Sequence, residues 1–167
     1  MHRGVVTGAN DVLVVPEAGA KLGGLATIRA EGYRRARRDG RPRGAVTRYQ
    51  ALIESSALAP LLRGGGVHAW SYRTAGYVIW CHDDGTAEPM PPPSRASRYL
   101  ARHGPELRGR SGWRPGLPIG ALFRLSAATL RPKVAWHDLS DTLKAVALPA
   151  RVPGVGGTDR PLILLNT

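Results

Sequence analysis

The sequence predicts an α+β fold of mostly short β-strands with two or three short helices, in a single domain over residues 1–167. Three observations carry this. Apolar runs such as Val12-Leu13-Val14-Val15 and Tyr77-Val78-Ile79-Trp80-Cys81 are β-branched or aromatic and have the length of buried strands. The 21 Gly and 14 Pro cut the chain into short elements. Helical patterning is confined to a few segments, the clearest at 94–103. A length of 167 residues suffices for a core, and 43% hydrophobic content sets the chain apart from disordered sequences.

Taken in order, Thr7-Gly8-Ala9-Asn10-Asp11 is a polar corner at the start of a first strand, 12–15. Gly8 and Asn10 tolerate positive φ, and Asn10 and Asp11 can bond their own backbone. Such a corner either presents N–H groups to an anion or base edge, or is only a turn. Residues 16–24 read as a loop, 25–30 as a second strand and 50–54 as a third. Ser55 or Ser56 is placed to cap a short helix over 57–63, stopped by Gly64. Residues 67–81 read as a β-hairpin with Thr74-Ala75-Gly76 in its loop, its aromatic residues in the core or paired across strands.

Residues 88–93 are extended and proline-rich. They lead into a helix at 94–103 with Ser94 as N-cap and Gly104-Pro105 as stop, then a helical turn at 106–110. Residues 120–125 form a short strand or turn. Residues 133–138 alternate like a half-buried strand, and 144–148 and 161–165 are two more. The glycines at 154, 156 and 157 follow no strand-then-helix pattern, so they are not read as a nucleotide loop.

No run approaches the roughly 20 apolar residues of a membrane helix, and the first residues lack a signal-peptide core. No membrane association and a cytoplasmic location are expected. The lone Cys81 lies in an apolar run and reads as a buried, inert thiol. Net charge is +12, which points to a polyanion. Of 24 basic residues only Lys21, Lys133 and Lys144 are lysine. Codon bias can exchange Lys for Arg, but it does not create an excess of base over acid. Residues 29–48 hold eight Arg against Glu31 and Asp39, half of the net charge. The stretch reads either as a solvated basic loop or as a phosphate-gripping arm built from Arg34, Arg35, Arg37, Arg38, Arg41 and Arg43, with Tyr33 available to stack. Arg63, followed by three glycines, either complements a helix C-terminus or lies close to a partner's backbone. His82-Asp83-Asp84-Gly85 reads as a turn closing a strand, with a metal or acid–base site as the sharper alternative.

Five landmarks stand in order along the chain: Thr7-Gly8-Ala9-Asn10-Asp11, Leu61-Leu62-Arg63-Gly64, Tyr99-Leu100 with Leu107, Lys133-Val134-Ala135-Trp136-His137-Asp138, and Leu165-Asn166-Thr167. As an ordered set they resemble the target-recognition domain of TaqI-like N-6 adenine-specific DNA methyltransferases, which serve restriction-modification and related phage defence. The resemblance implies duplex DNA as partner and reading of a target sequence. It also implies a catalytic domain, in cis or in trans, that transfers methyl from S-adenosylmethionine to an extruded adenine. Thr7, Asn10, Arg63, Arg73 and Lys133 are the residues expected at the bases or in close contact, with the arginines of 34–43 on phosphates.

The catalytic parts are not in this sequence. Adenine transfer needs an Asn or Asp followed by Pro-Pro-aromatic, but Pro91-Pro92-Pro93 is entered by Met90 and followed by Ser94. No strand–Gly-rich loop–helix stands ready for the cofactor. No catalysis and no cofactor in this chain itself are expected, and a fragment, split subunit or relic of a longer enzyme is the reading. Two rivals are a general nucleic-acid-binding module without that ancestry and a metal-dependent hydrolase using His82, Asp83 or Asp84.

Overall fold

The computed structural model describes residues 4–32, 47–136, 142 and 144–165. They form an α+β fold in which short strands predominate. The chain opens with a helical turn, α1 (Asn10–Leu13), and β1 (Val14–Val15). It continues through β2 (Glu17–Lys21), β3 (Leu25–Gly32), β4 (Thr47–Glu54), β5 (Leu58–Arg63), β6 (Val67–His68), β7 (Ser71–Tyr72) and β8 (Tyr77–Ile79). Helices α2 (Ser94–Arg102) and α3 (Gly104–Arg108) follow. The C-terminal part holds β9 (Lys133–Trp136), β10 (Ala145–Leu148), β11 (Arg151–Pro153), β12 (Asp159–Pro161) and β13 (Ile163–Leu165).

The central sheet has the order β1-β8-β5-β13, with β13 parallel to β5 and the other pairs antiparallel. Its β5 replaces the helix expected over 57–63. Five of its six residues are buried, so the strand has no polar face whose alternation would announce it. Pro60 sits where the ladder to β8 ends and the ladder to β13 begins, which accommodates its missing N–H. Leu61 and Leu62 point to opposite faces and belong to different cores. The larger core gathers Leu13, Ile28, Ile53, Leu58, Ile79, Leu100 and Leu107; the smaller gathers Leu62, Val67, Val146, Leu148 and Leu162.

The loop expected at 16–24 is instead β2, paired from Glu17↔Arg29 to Lys21↔Leu25. Its sequence, Glu-Ala-Gly-Ala-Lys, has little strand propensity, and pairing with β3 imposes the conformation. Val12 and Leu13, expected in a strand, are in α1: the N–H groups of both return to Ala9 O. The single hairpin expected over 67–81 is divided. β6 and β7 close a small hairpin around Ala69-Trp70, while β8 joins β5 and β1 in the central sheet. Gly66 permits the close approach of these parts, since a Cβ there would lie 2.3 Å from Arg73 O. The strand expected over 133–138 is described as far as Trp136, paired with β10; His137 and Asp138 lie outside the described residues. Residues 120–125 contribute one bridge, Val6↔Phe123. The stretch expected as one strand over 161–165 is the end of β12 and the whole of β13. No described helix is long and apolar enough to cross a membrane.

The helix start at Ser94 is correct, but Ser94 is not the N-cap. Glu54, at the end of β4, supplies the cap from 40 residues away: its carboxylate accepts from Arg95 N at 2.9 Å and Ala96 N at 3.0 Å, and from Ser94 Oγ at 3.4 Å. Burial alone raises the Glu54 pKa, but these bonds outweigh it and hold the carboxyl below its ordinary value of 4.5. The stabilisation is therefore complete above that value and is lost as pH falls through the lowered one. Glu54→Gln is expected to cost about 1 kcal/mol at pH 7, as removal of a helix cap does. The difference from the parent should shrink toward pH 3 in urea titrations. Gly104-Pro105, expected to stop the helix, begins α3 instead, with Pro105 in its first turn.

Candidate nucleic-acid interface

The N-terminal corner is built from the inside. Gly8 has φ +68°, which its missing Cβ permits. Thr7 is 1% exposed; its Oγ1 donates to Asn10 Oδ1 and accepts from Ala9 N at 3.2 Å. Arg110 then locks the corner to the rest of the fold. Its Nη1 donates to Thr7 O and Ala121 O, both at 2.8 Å, its Nη2 to Ile119 O at 2.6 Å and its Nε to Leu107 O at 2.8 Å. The guanidinium also lies 4.9 Å from the Phe123 ring centroid. Arg110 is 5% exposed, and its sequence neighbourhood gave no sign of this, because it follows a row of surface arginines. Of the two corner residues expected at the bases, Thr7 is buried and Asn10 is exposed.

The His82-Asp83-Asp84-Gly85 segment is a turn in which each of the three polar side chains is hydrogen-bonded. His82 is buried, with Nδ1 2.9 Å from Ala87 O and Nε2 accepting from Leu122 N at 2.8 Å. Burial lowers its pKa, which suits the neutral ring this pairing needs. Asp83 Oδ1 accepts from the N–H groups of Gly85 and Thr86 and from Thr86 Oγ1. Asp84 receives Trp80 Nε1 at 2.9 Å and pairs with Arg151 at 2.9 Å and Arg160 at 3.0 Å. Among the described residues no cluster of three or more His, Cys, Asp or Glu side chains could hold a metal. Cys81 is 1% exposed, and burial pushes its thiol up to about 12, against a smaller pull from Arg110. It is inert, as expected.

These contacts divide the cations into two groups. Arg110, Arg151 and Arg160 bind the fold together. Lys133 is half-buried with Nζ donating to Thr129 O, and burial lowers its pKa. The second group is exposed. On α2, Arg95, Arg98 and Arg102 follow a spacing of three and four and so share one helix face. Ala96, Tyr99 and Leu100 are its buried residues. Glu54 fixes the helix beside β4, and between the two lies a cleft of about 260 Å³. Gln50, Ala51 and Leu52 line one side of it; Arg95, Arg98, Tyr99 and Arg102 line the other. Among the described residues, none of these three guanidinium groups has a carboxylate within ion-pair distance. The same β4 is entered from residues 33–46, which hold Arg34, Arg35, Arg37, Arg38, Arg41 and Arg43; those six lie outside the described residues.

Arg63 and Arg73 both adjoin the turn Gly64–Gly66. Arg63 ends β5, and Arg73 N donates to Gly66 O at 2.8 Å. Arg73 is exposed. Arg63 is half-buried, and its Nε is a buried side-chain polar atom with no hydrogen-bond partner in the described structure. Leaving such a group unpaired costs about 1–3 kcal/mol. The reading of Arg63 as the complement of a helix C-terminus does not apply, since β5 is a strand.

Comparison with models of protein families, with curated proteins and with solved structures finds no match to this chain.

Proposed function

We infer that this chain binds duplex DNA and acts as the specificity part of an adenine-specific DNA methyltransferase, whose transfer chemistry belongs to a catalytic domain in cis or in trans. The observation that carries the DNA reading is the row Arg95, Arg98 and Arg102, on one face of α2, without an ion-pair partner among the described residues and lining an open cleft. At 1.5 Å per residue the row extends about 10 Å, the axial length of roughly three nucleotides of one strand. Guanidinium groups so placed suit phosphate oxygens in bidentate geometry. Residues 33–46 would extend the grip.

The methyltransferase reading rests on the five ordered sequence landmarks. Within it, Asn10, Arg63 and Arg73 are the candidates for base contact. Arg63 stands at the entry to the Gly64–Gly66 turn, and Arg73 has the exposure that readout requires. Thr7 and Lys133 have their polar atoms engaged internally and are read as positioning residues for the corner and for β9. S-adenosylmethionine would be held by the catalytic domain.

Selection from a pool of random duplexes, at two salt concentrations, tests both levels. Enrichment of a short motif that survives the higher salt is expected. Retention without a motif, lost steeply with salt, would favour a general nucleic-acid-binding module. Failure to retain any duplex would end the DNA reading.

A further inference from the structure

Two exposed tryptophans lie near one another beside β10. Trp70 is 92% exposed and Trp136 45%, with Val134 beside it at 60%. Trp70 stands in the two-residue turn between β6 and β7 with φ +66°. That conformation is uncommon for a bulky side chain, and glycine or asparagine would adopt it with less strain. The turn is not isolated. Trp70 N donates to Ala145 O at 3.0 Å, and Ala145 is the cross-strand partner of Trp136. The β6–β7 turn thus abuts β10, and β9 on the other side of β10 carries Trp136 and Val134 as its exposed residues, alternating with buried Ala135.

The surroundings are cationic. Among the described residues of the segments that build this surface, 62–82, 126–136 and 144–150, there is no Asp or Glu; Asp138 and Asp141, between β9 and β10, lie outside the described residues. Arg73 and Arg131 are exposed within them. An exposed apolar surface with exposed arginines in the segments that build it suits a ligand that is flat, aromatic and anionic. A second copy of this chain would bring its own positive charge against the same face, which disfavours self-association there. A fully paired duplex hides the faces of its bases. Unpaired nucleotides offer both the π-face and the phosphate.

We propose that Trp70 and Trp136 form a stacking surface for unpaired nucleotides, with Arg73 and Arg131 toward their phosphates. The proposal rests on the nucleic-acid reading above. It is tested with the full chain and three labelled probes: a paired duplex, the same duplex with a short single-stranded bulge, and a single strand. Fluorescence anisotropy is measured for the parent, the double variant Trp70→Ala/Trp136→Ala, the double variant Trp70→Phe/Trp136→Phe, and Trp70→Gly.

The double alanine variant should lose about 5- to 100-fold in affinity for the bulged and single-stranded probes, the range for removing one stacked base, and little for the paired duplex. The phenylalanine variant should keep most of the affinity. Trp70→Gly should melt at or above the parent temperature while losing affinity for unpaired probes, which separates stacking from folding. Unchanged binding of the bulged probe by the double alanine variant overturns the proposal and leaves duplex binding standing. So does a parent dimer, seen by sedimentation, that this variant dissolves without change in probe affinity; the patch is then an interface between copies. Absence of parent binding to all three probes defeats the nucleic-acid reading and the proposal together.

Discussion

Arg110→Ala is expected to destabilise the fold by about 3–5 kcal/mol, the cost of breaking a buried charged group from its partners. The side chain reaches the carbonyls of Thr7, Leu107, Ile119 and Ala121, and each loses a charged donor in the variant. Such bonds are worth about 1.5–3 kcal/mol singly but do not add in full, because the freed carbonyls regain some water. For a chain of this size the melting temperature should fall by roughly 10 °C. Arg110→Lys should recover only a minor part, since an ammonium on a single stem cannot address four carbonyls in fork geometry. A loss below about 1 kcal/mol in urea titration would mean that the N-terminal corner is held by other contacts.

The triple variant Arg95→Ala/Arg98→Ala/Arg102→Ala is expected to fold normally and lose most duplex affinity. All three residues are exposed and unpaired among the described residues, so the stability change should stay within about 0.5 kcal/mol. Each lost phosphate contact reduces the slope of log affinity against log salt by about 0.9, so the slope should shrink by up to about 3. At 0.1 M salt that corresponds to roughly 10²-fold or more in affinity. A lysine triple variant should keep much of the slope while losing the bidentate bonds. An unchanged slope in the alanine variant would move the phosphate grip to residues 33–46 or elsewhere.

The parts of this fold that were legible in the sequence are those whose pattern is local. Alternation over 25–30 and 133–138 gave β3 and β9, and the helical pattern over 94–103 gave α2, although neither its cap nor its stop is the one the pattern named. β5 was not legible, because a strand buried on both faces shows the same unbroken apolar run as a buried helix, and Pro60 pushed the reading further from a strand. The division of 67–81 was hidden for another reason. Its first half pairs locally, but β8 finds its partners in β5 and β1, and no local signal states that preference. The cap of α2 likewise comes from Glu54, far away in sequence.

The candidate interface shows the same limit. The concentration of arginine at 29–48 and the exposure of Arg73 could be read directly. The spacing of Arg95, Arg98 and Arg102 was also visible, but its meaning depends on β4 standing opposite, which only the fold supplies. Arg110 resembled its exposed neighbours in sequence and is the most deeply engaged of them in space. Trp70 was expected in the core or paired across strands, as tryptophans in β-rich runs usually are. The tight turn at Ala69-Trp70 places it outside.

The most direct test of the central claim is arginine-selective modification with phenylglyoxal, read by peptide mass spectrometry with and without a saturating duplex. Arg95, Arg98 and Arg102 are expected to react readily in the free protein and to be protected together when duplex is bound. Equal modification of the three in both states, under conditions where the duplex is bound, would show that the α2–β4 cleft is not where this protein meets DNA.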